Sequence, residues 1–143
     1  MSRSCRSLLV LVPLALSLVS CGRFAVPPVP GGEPVLLSPS RAATTWTDAE
    51  GGTLELKADG TTAAHHVCSD FDIVDGTAEP RSGPGTWESE DGEEGTRVHV
   101  SFGTDDESFA YEALRKGGTL KLWTYVGDPD EGRPLCILTA PAR

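Results

Sequence analysis

Two aromatic side chains, Trp123 and Tyr125, are the first candidates for chemistry, and that chemistry is recognition. In Leu120-Lys121-Leu122-Trp123-Thr124-Tyr125-Val126, a strand sends the leucines to one face and both aromatics to the other. With the leucines in a core, the aromatics are exposed or line a mouth, open to a protein or a small apolar ligand. A second packed layer explains them nearly as well. His65-His66, with His99 elsewhere, is the next candidate. Neighbours on a strand point to opposite faces, so one zinc ion is not expected to take both, and no metal site is expected. Asp128-Pro129-Asp130-Glu131-Gly132 begins like a calcium loop, which needs six or more oxygens and a distant glutamate. Only Asp128 and Asp130 fit, so a solvated turn is expected. Asp70 with Asp72, and Glu90-Asp91 with Glu93-Glu94, are read the same way. There is no Gly-x-Ser-x-Gly, His-Glu-x-x-His or Ser-x-x-Lys, each of which would position a nucleophile or metal. Paired acids abound, but a surface supply differs from two carboxyls converging in a cleft. Neither catalysis nor a cofactor is expected.

Cys5, Cys21, Cys68 and Cys136 are the cysteines. Residues 8–19 form a largely apolar run of twelve, preceded by Arg3 and Arg6 and followed by Ser20-Cys21. A charged region, a hydrophobic region and small residues at a cut site make a signal peptide. A transmembrane helix takes about 20 residues, and this run contains Pro13. Leu18-Val19-Ser20-Cys21 resembles the lipobox of bacterial lipoproteins. The resemblance implies that the Cys21 sulfur receives a diacylglyceryl group, that 1–20 is removed, and that Cys21 stays on the membrane as the new N-terminus. Two acyl chains hold where one is marginal, each buried CH₂ contributing about 0.8 kcal/mol. A secretory signal with an incidental cysteine is the alternative. The expected address is the extracytoplasmic face of the cell membrane. Cys68 and Cys136 then sit where disulfides persist, and a bridge between them is expected. Two free thiols or a zinc pair compete, though zinc wants four ligands and no Cys-x-x-Cys exists.

The elements that must position these residues are bounded by length and charge. Removing 20 of 143 residues leaves 123, enough for one modest domain with a core. The net charge is −9, from 12 basic and 21 acidic residues; without Arg3 and Arg6 it becomes −11, from 10 and 21. That balance argues against nucleic acid, which is bound through basic contacts to phosphate, and against a polybasic membrane patch.

Residues 21–40 hold five prolines and three glycines after Cys21 and read as a tether, on the order of 50 Å long if extended. Val35-Leu36-Leu37 is a candidate first edge strand. From 41 to 143 the pattern is short alternating runs broken by Gly and Asp. Leu54-Glu55-Leu56, Ala58-Asp59-Gly60 and Thr61 onward read as a hairpin. A three-residue turn pairing Leu56 with Thr62 is preferred over a two-residue turn pairing it with Ala63. It puts Thr62, Ala64, His66 and Cys68 on the face of Leu54 and Leu56. Phe71-Asp72-Ile73-Val74 precedes a Gly- and Pro-rich loop over 75–85, and a strand begins at Thr86. Val98, Val100 and Phe102 alternate inward; strands over 108–114, 120–126 and 135–139 complete the chain. No sustained 3.6-residue period appears, so a long helix is not expected. The fold class is all-β, an antiparallel meander barrel or sandwich of about eight to ten short strands. Trp46 and Trp87, each after a threonine, open hairpins and are expected at the barrel base.

Leu54-x-Leu56-x-x-Asp59-Gly60-Thr61, Gly85-Thr86-Trp87-Glu88 and Leu120-x-Leu122-Trp123-x-Tyr125-x-Gly127-Asp128-Pro129-Asp130 resemble a group of small actinomycete lipoproteins. The resemblance covers about 40–140, implies an anchored all-β domain, and carries no activity. Gly85-x-Trp87 is similar to the Gly-x-Trp strand of lipocalins, an analogy of fold that licenses no ligand. The expected function is a non-catalytic binding or interaction module, its partner a protein or small apolar ligand near Trp123 and Tyr125. A structural envelope lipoprotein without a pocket is the alternative, and an unrecognised hydrolase stands behind it.

Overall fold

Strict in-and-out alternation, the strongest signal along the chain, is realised in a closed sheet. The computed structural model describes residues 29–69, 79–103, 108–127 and 134–142. Its strands are β1 (Glu33–Pro34), β2 (Thr45–Thr47), β3 (Thr53–Leu56), β4 (Thr61–Val67), β5 (Arg81–Gly92), β6 (Gly95–Phe102), β7 (Ser108–Lys116), β8 (Thr119–Thr124) and β9 (Cys136–Thr139). One helical turn, α1 (Pro39–Ala42), precedes β2. From β2 to β9 each strand pairs antiparallel with the next, and β9 returns to β2 through Thr47↔Thr139. Eight strands thus close into a meander barrel, which decides barrel over sandwich and leaves β2 to β9 no open edge. Trp46, Leu54, Val67, Val98, Val100, Tyr111, Leu122 and Leu138 are fully buried inside it. No helix among the described residues is long and apolar enough to cross a membrane.

The β3–β4 turn has the expected three-residue register. Leu56 pairs with Thr62, Lys57 N–H donates to Thr61 O over 2.9 Å, and Gly60 takes φ +81°, a conformation that glycine adopts freely. Asp59 accepts from Thr61 Oγ1 at 2.6 Å and Thr61 N at 2.9 Å. These bonds hold its carboxyl below the usual 3.8, since they favour the charged form.

Alternation then breaks. The β4–β5 register shifts between Ala64 and Val67, and His66 adopts φ 49°. This bulge re-aims the neighbouring side chains: Val67 points inward, whereas His66, expected on the core face, is exposed. Strand β5 starts at Arg81, inside the stretch read as loop. The reason is close backbone approach. A Cβ on Gly85 would collide with the Ser101 carbonyl oxygen and come within 3.1 Å of Thr62 Cγ2. Pro84 lies beyond the last β5–β6 partners, Gly85↔Phe102, where its missing N–H breaks no rung.

The segment before α1 is sewn into the barrel. Glu33 and Pro34 pair with Arg115 and Leu114 of β7, two residues ahead of the expected strand. Val35 N–H donates to Ala113 O (3.2 Å) and its carbonyl accepts from Thr96 N (3.0 Å), so its backbone bridges β7 and β6. Leu37 is buried, and its N–H donates to Thr96 Oγ1 at 2.7 Å. That hydroxyl donates onward to Asp91 Oδ1 at 2.5 Å. Residues 33–37, read within the tether, therefore contribute to the fold. Thr96→Val keeps the shape but leaves the Leu37 N–H unpaired. We expect it to destabilise by about 1–3 kcal/mol, read as a lower urea midpoint; an unchanged midpoint would show that the strap adds nothing.

Meander topology sorts the connections. The β3–β4, β5–β6 and β7–β8 turns are tight and share one end; the β4–β5, β6–β7 and β8–β9 connections are long and share the other. Both tryptophans bond backbone carbonyls at the tight-turn end. Trp46 Nε1 donates to Ala42 O (3.0 Å), and Trp87 Nε1 to Lys57 O (2.7 Å). Trp46 is fully buried, while Trp87 is half-buried.

Candidate functional site

Strand β8 turns Leu122 and Thr124 inward and Trp123 outward. Tyr125 comes next on the outer side, its ring meeting Trp123 edge to face, with centroids 5.3 Å apart and planes at 77°. That geometry matches the aromatic quadrupole. The neighbouring strand supplies the floor. Glu112 is the register partner of Trp123, and Ala110, two residues earlier on the same outer face, is small enough to leave a recess. Val29, Pro30, Gly32 and Pro34 form the opposite wall, and Glu94 reaches in from the β5–β6 turn. A Cβ on Gly32 would fall 2.8 Å from both Arg115 O and Leu114 Cδ1, so glycine lets this wall lie against β7. The result is a groove of about 490 Å³ on the outside of the barrel.

The groove's surface is an indole, a phenol ring and prolines, with the carboxylates of Glu94 and Glu112 among them. Glu112 is held by Arg97, whose Nη2 and Nε lie 2.6 and 2.7 Å from Oε1.

The other candidates lie apart from this groove or outside the described residues. Cys68 and Cys136 form a disulfide, with S–S 2.09 Å and Cα–Cα 5.5 Å. Cys21 lies outside the described residues, as do Asp70, Asp72, 71–74 and 128–131. His65 and His66 do not face apart: the bulge leaves both exposed with Nδ1 atoms 3.3 Å apart. His99 stands 3.6 Å from Glu90. Among the described residues, no three His, Cys, Asp or Glu side chains gather to hold a metal.

Sequence reasoning missed Asp48. Its Oδ1 accepts from Glu50 N (3.0 Å) and Gly52 N (2.7 Å), and its Oδ2 from Cys68 N (2.9 Å). One carboxylate thereby joins the β2–β3 turn to the disulfide. The signal was an aspartate opening an Asp-x-x-Gly-Gly turn, where such side chains bond backbone two to four residues on. The groove's acidic members, Glu94 and Glu112, were also missed, because the turn that carries one and the strand that carries the other meet only in the barrel.

Compared with known proteins, the chain matches no family model, no curated protein and no solved structure.

Proposed function

We propose that the chain is a membrane-anchored extracytoplasmic lipoprotein of the kind its N-terminal residues resemble. Its barrel is a non-catalytic binding module that meets a protein or small apolar ligand at Trp123 and Tyr125. One observation carries the reading: an edge-to-face aromatic pair, half-buried, in an open groove rather than under a second layer. Aromatic residues outside a core are typical of interaction sites. The lipid on Cys21 and the membrane address come from the lipobox resemblance alone. A second reading, a structural envelope lipoprotein without a ligand pocket, is favoured by a barrel axis filled with Trp46, Tyr111, Leu54 and Leu122.

A photo-crosslinking amino acid at position 125 of the anchored protein, in its own membrane, tests the binding reading. The same group at exposed Glu55 on β3 serves as control. An adduct specific to position 125 is expected; equal adducts at both positions, or none, would favour the structural reading. Intact mass tests the anchor separately. A diacylated chain starting at Cys21 is expected, and an unmodified chain starting at Met1 would overturn it.

A further inference from the structure

We infer that the groove takes an extended cationic peptide segment, with an apolar residue on Trp123 and Tyr125 and a lysine or arginine in an adjoining carboxylate notch. This rests on the binding reading above and adds the chemistry of the partner. The notch is a second recess, of about 330 Å³, lined by Glu90, Glu93, Glu94, Arg97 and Glu112. Glu94 and Glu112 also line the aromatic groove, so the two recesses adjoin. Four carboxylates there face one guanidinium, which is already engaged with Glu112. Glu93 and Glu94 are exposed at the tip of the β5–β6 turn and make no side-chain hydrogen bond or ion pair among the described residues.

Unbalanced negative charge in a concave site draws cations and speeds their encounter. The aromatic faces beside it add cation–π attraction. A bare metal ion suits the notch poorly, because Arg97 lies among the carboxylates and the apolar wall would go unused. A ligand exploiting both recesses needs an apolar and a cationic group a few atoms apart. An extended peptide supplies them at successive residues, and seating on aromatic-lined grooves is an established mode of peptide capture.

The test titrates full-length protein in nanodiscs against fluorescein-labelled Lys-Val-Pro-Lys-Val-Pro and its charge-reversed counterpart Glu-Val-Pro-Glu-Val-Pro, read by anisotropy. The cationic peptide is expected to bind, more weakly as salt rises, and the acidic one is not. Trp123→Ala should weaken binding about tenfold, with Tyr125→Ala as a second probe should the first variant melt early. The double variant Glu93→Gln/Glu94→Gln should weaken it about threefold and flatten the salt dependence. Equal binding of both peptides, lost in Trp123→Ala, would overturn the charge inference and leave the groove reading standing. Binding that survives both aromatic replacements would be general attraction to an acidic chain and would overturn the inference. No binding of either peptide would also overturn it, while the crosslink at position 125 reports on the groove independently.

Discussion

Replacing Cys68 with alanine is expected to destabilise the oxidised protein by about 4 kcal/mol and to lower its Tm by roughly 20 °C. The bridge spans a sequence separation of 68, a loop long enough for a large entropic constraint on the unfolded chain. Its place in the fold adds a second reason. Cys68 comes just after β4 and Cys136 opens β9, so the bridge crosses the two short strands β2 and β3. That is where the barrel closes most weakly, through the single partner pair Thr47↔Thr139. Asp48, in the turn under the bridge, ties to the Cys68 backbone. A loss of this size is a large share of the ~5–15 kcal/mol usual for a domain. Thermal unfolding followed by circular dichroism, with and without reductant, reads it. Reduced wild type should melt with Cys68→Ala, and reductant should leave the variant unmoved. If oxidised wild type and variant melt together, the bridge contributes nothing to closure.

The two tryptophans should differ in what they lose. Trp46→Ala removes a fully buried indole together with its bond to Ala42 O, and should cost about 3–5 kcal/mol. Trp87→Ala removes a half-buried one whose N–H caps the Lys57 carbonyl in the β3–β4 turn, and should cost about 1–2 kcal/mol by the area it covers. Urea midpoints of the two variants decide the matter. Equal losses would mean that Trp46 does not pin α1 to the barrel base as its hydrogen bond suggests.

The residues show why part of this architecture could be read from sequence and part could not. Leu54, Leu56, Val98 and Val100 declared their inward face because period-2 alternation is local. The β3–β4 register was legible because Asp59-Gly60 allows few turns, and only the three-residue one put Thr62 opposite Leu56. The bulge at His65-His66 was hidden, since one extra histidine between Ala64 and Val67 leaves no compositional mark. Residues 81–85 looked like a loop because glycine and proline were weighed by propensity. The meaning of Gly85 is steric, and it depends on Ser101, sixteen residues away. Closure was equally invisible: a barrel differs from a sandwich by one pairing between the first and last strands of the meander. Of the groove, the aromatic pair was legible from strand parity, whereas Glu94, Glu112 and the wall over 29–34 come together only through long-range contacts.

The strap over 33–37 gives the molecule a polarity of display. Glu33 lies opposite Arg115, next to the β7–β8 turn, so the backbone joins the sheet at the tight-turn pole. Were Cys21 fastened to a bilayer, that pole would hang nearest the leaflet and the disulfide-laced pole would look outward. Tension along the leash would then load the strap lengthwise, shearing the β1–β7 rungs and the Val35 bonds to β7 and β6 together instead of unzipping them one by one.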